Sequence, residues 1–174
     1  MSIVNMEIKA GTANGDRIRQ VLKDKGARFV GVDKQVDTYF NVVSGRLKLR
    51  EGNIENALIY YRRENKSGPK KSEVILYKSK PDSTLKSLLE ESLGILTVVD
   101  KKREIYFIEN VKFHVDDVKG LGDFIEIEAI DKTGDTGQDK LLKQCNYYLK
   151  LFEISENDLI SDSYSDMMLN KTND

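Results

Sequence analysis

The chain has 174 residues, of which 39% are hydrophobic and 33% charged, enough to fold as one domain around a core of its own. Its 28 basic and 29 acidic residues nearly cancel, so the net charge of -1 points to neither nucleic acid nor an anionic membrane as a partner, and any functional charge must lie in its arrangement. The single cysteine, Cys145, excludes an internal disulfide, and no apolar run approaches the roughly 20 residues of a membrane span. The first residues lack a basic n-region, and the expected location is the cytoplasm.

The first element is a strand over Ile3 to Ala10, where Met6 and Ile8 alternate with Glu7 and Lys9. A helix is expected over Asn14 to Lys25, with Ile18, Val21 and Leu22 on one face, Asn14 as cap and Gly26 as stop. Phe29 to Val43 is rich in Val, Phe, Tyr and Thr and reads as a strand that turns at "VSG". "RLKLRE" and "NALIYYRRE" form a hairpin, "NKSGPKK" a loop, and Val74 to Lys78 a short strand.

Pro81 and Asp82 open a second helix, with Leu85, Leu88, Leu89 and Leu93 on one stripe and Gly94 as its end. Three further strands follow: Leu96 to Glu109, Val111 to Val118 and, past the turn "KGLGD", the stretch "FIEIEAI". After the loop "DKTGDTGQ", Asp139 to Phe152 is a helix whose apolar stripe is Leu141, Leu142, Cys145, Tyr148, Leu149 and Phe152. The polar tail begins at Ser155. The expectation is one domain over 1–170, an α+β fold of about eight strands and three main helices, with a loose tail at 171–174.

Several strands carry one charged and one apolar face. Alternation of this kind is most often an antiparallel sheet with one solvated side. Three amphipathic helices, however, need apolar sheet surface to cover, and the Met6/Ile8, Leu47/Leu49 and Ile125/Ile127 face supplies it. The charged face is then concave, and a closed eight-stranded antiparallel barrel would turn it into a tunnel. Glu7, Asp116, Glu126 and Glu128 would line it together with Lys9, Lys48, Arg50, Arg63, Lys101 and Arg103. So many enclosed charges need a ligand that uses both signs, and a polyanion bridged to carboxylates by a divalent cation does so. Oxygen donors without a Cys or His cluster favour Mg²⁺ or Mn²⁺ over zinc.

"NMEIKA", "DTYF", "GRLKLRE" with "LIYYRRE", "KKREIYF", "HVDDVKGLGDFIEIEA" and "SYSDMML" occur in this order along nearly the whole chain. Together they resemble the CYTH family, also called triphosphate tunnel metalloenzymes, and most closely its bacterial class IV adenylyl cyclase branch. That resemblance implies an eight-stranded tunnel that binds a nucleoside triphosphate or inorganic triphosphate. It implies Glu7, Glu126 and Glu128 as ligands of Mg²⁺ or Mn²⁺, and Asp116 as a metal ligand or water-orienting group. Lys9, Lys48, Arg50, Arg63 and Arg103 resemble the triphosphate binders, with Lys70 and Lys101 beside them; Lys9, Arg103 and Asp116 would be the catalytic groups. One position departs from the family pattern: Asn5 stands where that pattern has Glu, and an amide brings no charge to a second metal.

The resemblance to the cyclase branch favours an adenylyl cyclase that converts ATP to cyclic AMP and pyrophosphate, with a triphosphatase and a nucleotide or polyphosphate binder without catalysis as the alternatives. The expected partner is the triphosphate, with no nucleic acid and no membrane, and a homodimer is left open. His114, the only histidine, sits on the same strand face as Asp116; a hydrogen-bonded structural role outweighs proton transfer. Cys145 belongs to the core. Tyr39, Tyr60 and Tyr61 offer rings to an adenine, although packing within the strands is the commoner fate of such residues.

Overall fold

The computed structural model describes residues 3–81 and 83–172, and among these the strands close into one antiparallel barrel. They are β1 (Ile3–Gly11), β2 (Arg28–Phe40), β3 (Arg46–Glu51), β4 (Ala57–Arg63), β5 (Lys70–Lys78), β6 (Ile95–Ile108), β7 (Val111–Val118) and β8 (Gly122–Asp131). Their order around the barrel is β1-β5-β4-β3-β2-β6-β7-β8. The helices are α1 (Gly15–Asp24), α2 (Leu85–Leu93), α3 (Gln138–Leu151) and α4 (Tyr164–Thr172). The α+β tunnel expected from the alternation is the fold that forms.

Closure depends on β1, which pairs with β5 on one side and β8 on the other. Glu7 stands opposite Lys70 and Glu128, and Lys9 opposite Glu126, so strands far apart in sequence share one wall. Because side chains alternate across a strand, Met6, Ile8 and Ala10 then face outward with Phe113, Val115, Ile125, Ile127 and Ala129. Ile18 and Leu22 of α1 and Leu141, Cys145 and Tyr148 of α3 bury that surface. Phe113 meets the rings of Tyr148 and Phe152 edge-on, with centroids 4.7 and 5.7 Å away. A smaller outer cluster joins Phe40 and Leu49 to Leu89 of α2. The main apolar core therefore lies between sheet and helices, and the lumen is left to polar groups.

Local signals set the helix ends. The Asn14 side chain accepts a hydrogen bond from the Arg17 amide at 3.4 Å. Gly26 and Gly94 follow α1 and α2 at φ 71° and 72°, left-handed positions that a side chain would disfavour.

Four elements differ from the sequence expectation. β5 begins at Lys70, not Val74, because Lys70 and Ser72 pair with Glu7 and Asn5 to close the barrel; a loop-like composition concealed that long-range pairing. α2 begins at Leu85 after Thr84; Asp82 lies outside the described residues, and Leu88 is 60% exposed, off the buried stripe. Leu142 of α3 is likewise 37% exposed. The polar tail holds a 3-10 turn at Glu156–Asp158 and the helix α4, which runs to Thr172. Its buried positions are only Tyr164 and Ser165: Tyr164 joins an apolar cluster with Val99, Val118 and Phe124 while its hydroxyl donates to Asp116, and Met167 and Met168 add only a short apolar edge to that cluster.

Among the described residues no helix is long and apolar enough to cross a membrane. Cys145 is fully buried in the core, and burial pushes its thiol up to about 12, so it is an inert packing residue.

Candidate active site

The same alternation that buries the outer face sends the charged one inward. Glu7, Lys9, Lys48, Arg50, Arg63, Arg103, Glu126 and Glu128 all line one cavity of about 580 Å³ inside the barrel. Eight of the eleven residues expected at the site are thus brought together.

The carboxylates lie on adjoining strands, each with a partner. Arg63 donates to Glu7. Glu126 faces Lys9 Nζ at 3.4 Å, Arg103 Nη2 at 2.9 Å and His114 Nδ1 at 3.1 Å. The Asn5 amide donates to Glu128. Burial works against ionisation of Glu126, but Arg103 and Lys9 overcome it and hold its carboxyl well below the usual range. For Glu128 the balance reverses: burial, with Glu7 and Glu126 close by, raises its carboxyl against the pull of Lys112. Burial also pushes Lys9 down to about 8, with Glu126 opposing.

The remaining three residues are less accessible. Asp116 is buried behind Arg103: it accepts from Arg103 Nε and Nη2 at 2.7 and 2.5 Å and from the Tyr164 hydroxyl at 2.7 Å. Both carboxylate oxygens are engaged, so in this arrangement Asp116 holds Arg103 in place and does not face the cavity. Lys70 is fully buried, and its ammonium donates to the backbone oxygens of Lys66, Ile160 and Ser161. Lys101 donates to Asp37 at 2.8 Å from behind the cavity wall, and burial pushes its ammonium down to about 7 despite that carboxylate.

Asp37 is a site residue the sequence reading did not single out. It accepts from Arg50 Nε and Nη2, each at 2.9 Å, and from Lys48 Nζ at 2.9 Å, besides Lys101. Its place in "DTYF", two positions from Tyr39, gives it lumen parity, which was the available signal. Glu55, on the loop after β3, accepts from Arg50 at 3.0 Å and from Lys112; loop residues have no period, and nothing in the sequence flags it. Lys112 shares parity with His114 and was legible by the same rule. His114 lines the cavity, and burial with the neighbouring Arg103 and Lys112 holds its imidazole down to about 3. A neutral ring facing an ionised Glu126 donates from Nδ1, which leaves Nε2 as an acceptor. Tyr39 and Tyr61 line the cavity, whereas the Tyr60 hydroxyl lies beside Ser44 and Arg62 on the outer face.

The C-terminal segment lines the cavity through Ser163 and Tyr164. Tyr164 packs on Phe124 with centroids 5.1 Å apart, and Lys9 Nζ sits 3.7 Å above the Tyr164 ring. Lys9 also donates to the Asp162 carbonyl at 3.3 Å.

The donor chemistry fits a hard divalent cation: Glu7, Glu126 and Glu128 offer oxygen donors on neighbouring strands, and the buried Asn5 Oδ1 beside them has no hydrogen-bond partner among the described residues. Among the described residues no three acidic, His or Cys side chains are gathered as a ready-made cage, because Arg63, Lys9 and Arg103 hold the carboxylates. A cation would therefore have to displace these pairings.

The crowding makes a prediction. A carboxyl raised by folding destabilises the native state above its unfolded pKa of about 4, a loss complete once pH passes the raised folded value. Glu128→Gln should therefore melt as high as the parent or higher at pH 7.5, with the advantage vanishing near pH 4, while activity falls. Thermal melts across pH check this; a variant that melts lower at neutral pH refutes the repulsion.

A closed antiparallel barrel with helices outside and cations and carboxylates inside defines a tunnel protein, its site enclosed by the sheet. The sequence profile of the CYTH domain matches residues 4–164, and the chain belongs to that family. CYTH enzymes bind triphosphates, use divalent metals and include adenylate cyclases and triphosphatases. The chain is 27% identical to a Methanocaldococcus jannaschii protein named "Putative adenylate cyclase MJ0240", over 95% of this chain and 98% of that one. Its fold is similar to the PH1012 protein of Pyrococcus horikoshii, with TM-score 0.78, 23% identity and coverage of 95% and 98%. It is also similar to HpAC1 of Hippeastrum, with TM-score 0.64, 13% identity and coverage of 98% and 96%.

Proposed function

We propose that this chain is an adenylyl cyclase of the class IV type, which converts ATP to cyclic AMP and pyrophosphate. The observation that carries the proposal is the single cavity in which Lys9, Lys48, Arg50, Arg63 and Arg103 face Glu7, Glu126 and Glu128. A triphosphate bears about four negative charges and needs such cationic walls, while the carboxylates need a counter-charge of their own. The likeness to the Methanocaldococcus protein supports the cyclase, because it spans nearly both chains.

In this proposal the ribose 3′-hydroxyl attacks the α-phosphorus and loses its proton to solvent water, the bond from that phosphorus to the bridging oxygen breaks, and pyrophosphate leaves. Lys48, Arg50 and Arg63 hold the phosphate chain, and Arg103 and Lys9 stabilise charge growing on the phosphoryl oxygens. Asp116 keeps Arg103 aimed into the cavity from behind. Mg²⁺ or Mn²⁺ held by Glu7, Glu126 and Glu128 would neutralise further phosphate charge. The Asn5 side chain adds an uncharged oxygen, which fits one firmly held cation better than two.

The second reading is a triphosphatase, which needs the same clamp but aligns a water with the terminal phosphorus. It is favoured by HpAC1, a fold relative described as having a dominant triphosphatase activity. The test is to incubate the protein with ATP or tripolyphosphate plus Mg²⁺ or Mn²⁺ and to separate the products. Cyclic AMP with pyrophosphate is expected. Orthophosphate without cyclic AMP would replace the cyclase by the triphosphatase.

A further inference from the structure

The loop between β3 and β4 is tied to β2 by side-chain hydrogen bonds. The Asp33 carboxylate, fully buried on β2, accepts from the Ile54 amide at 2.8 Å and the Glu55 amide at 2.9 Å. Asn53 adds two more bonds, accepting from the Lys34 amide at 2.6 Å and donating to the Val32 carbonyl at 3.1 Å. At Gly52 a Cβ would lie 2.5 Å from Asp33 Oδ1 and 2.8 Å from the Glu55 carbonyl oxygen, so only glycine lets the loop come this close. The Glu55 backbone is thereby fixed at one place on the cavity wall. Gln35 Nε2, which donates to Asp33 at 2.7 Å, also donates to the Glu55 carboxylate at 3.2 Å.

From that place Glu55 joins cations on separate parts of the wall: Arg50 Nη1 on β3 at 3.0 Å, and Lys112 on β7, which β2 and β6 separate from β3 in the barrel. The pairing crosses the inside of the barrel, and all three residues line the same cavity. Arg50 does not need Glu55 for its direction, because buried Asp37 already grips Nε and Nη2 at 2.9 Å each. What Glu55 takes is the remaining Arg50 nitrogen together with the Lys112 ammonium. One carboxylate grips both donors, as the oxygens of a phosphate would. Burial works against ionisation of Glu55, yet Lys112 and Arg50 hold its carboxyl below the usual range, so it is an anion in that position.

We infer that Arg50 and Lys112 form a phosphate seat of the tunnel in which Glu55 stands as a resident anion, one that a triphosphate must displace. Lys112 thereby joins Arg50 as a phosphate-binding residue, and Glu55 sets how much charge a ligand must bring. Displacing the carboxylate costs every ligand that takes the seat the same free energy. A triphosphate, which also meets Lys9, Lys48, Arg63 and Arg103, recovers that cost where a single phosphate does not. A carboxylate already paired with two cations also has little charge to offer a metal ion, which separates Glu55 from Glu128, whose carboxyl burial and its acidic neighbours raise.

This inference rests on the triphosphate reading of the lumen, and the two can fail separately. The probe is diimidotriphosphate, titrated calorimetrically in EDTA and again with Mg²⁺ into the parent, Glu55→Gln, Lys112→Met and the double variant. Glu55 sits on a loop and is part-exposed, so the fold tolerates Gln there, and thermal melts check that each protein is folded. Glu55→Gln should bind the probe about tenfold tighter with no greater need for Mg²⁺, the gain expected if Glu55 holds the seat roughly nine-tenths of the time. Lys112→Met should weaken the probe, and in that background Glu55→Gln should lose much of its gain. A Glu55→Gln protein that binds the probe no tighter than the parent, or that needs more Mg²⁺ to bind it, overturns the seat while the triphosphate site stands. A gain of the same size with and without Lys112 overturns it too, because a general change of charge would then explain the effect. If none of the four proteins binds the probe, the triphosphate reading falls and takes the seat with it.

Discussion

Asp37→Asn is expected to lower the melting temperature by about 10 °C and to depress activity along with it. Asp37 is buried to 1% exposure and is the shared counter-ion of Lys48, Arg50 and Lys101. Burial alone would raise its carboxyl, yet Arg50, Lys101 and Lys48 together hold it well below the ordinary range. Removing the charge from one member of a buried ionic group costs about 3–5 kcal/mol, because the partners are left uncompensated. In a domain of this size each kcal/mol shifts the midpoint by about 2–4 °C.

The same substitution removes the carboxylate that draws the Lys101 ammonium upward, so burial, with Arg50 and Arg103 beside it, pushes that amine further down. Adding Lys101→Met to Asp37→Asn should accordingly cost less than the sum of the two single changes, a coupling that a double-mutant cycle of melts measures. Activity should fall because Lys48 and Arg50 lose the anchor that fixes their direction. An Asp37→Asn protein that melts within about 2 °C of the parent would show that the three cations do not depend on this carboxylate.

Most of the barrel and the identity of its charged wall were legible from period two alone. Glu7, Lys9, Lys48, Arg50, Arg103, Glu126 and Glu128 each alternate with outward apolar residues, and closure then requires that they meet. What period two does not encode is depth behind the wall. Asp116, Lys101 and Lys70 share lumen parity with the exposed lumen groups, but their neighbours Arg103, Asp37 and the carbonyls of the C-terminal segment cover them. Asp37 escaped for the opposite reason. A lone acid among Val, Thr, Tyr and Phe looks like a polar interruption of a strand until the three cations that converge on it are placed by pairing across β3 and β6. Helix α4 was hidden because its buried residues, Tyr164 and Ser165, both carry hydroxyls, and only Met167 and Met168 follow Tyr164 onto the apolar cluster around Val118 and Phe124. Hydrophobic periodicity detects helices with a broad apolar stripe, and this one presents only a short mixed face.

Arg103→Ala is expected to lower turnover by on the order of 10² to 10³-fold on ATP, the usual scale for losing one preorganised charge donor at the reacting group. The guanidinium lies at the centre of the carboxylate side of the site: it grips Asp116 through two nitrogens and reaches Glu126 with Nη2 while lining the cavity. Its loss also strands Asp116 and Glu126, so stability will fall with activity, and folded protein must be quantified before rates are compared. Arg103→Lys keeps the charge but cannot hold Asp116 through two nitrogens, and should restore only part of the rate. Asp116→Asn separates two roles. As the buried support of Arg103 it should depress turnover with little change in the Mg²⁺ concentration for half-maximal rate, whereas a metal ligand would shift that concentration strongly. The effect of Arg103→Ala should appear with tripolyphosphate in the same proportion, because this side chain is assigned to phosphate and not to the base. A folded Arg103→Ala protein with near-normal rates on both substrates would place the phosphates elsewhere in the tunnel, and the assignment of β6 to the substrate wall would fail.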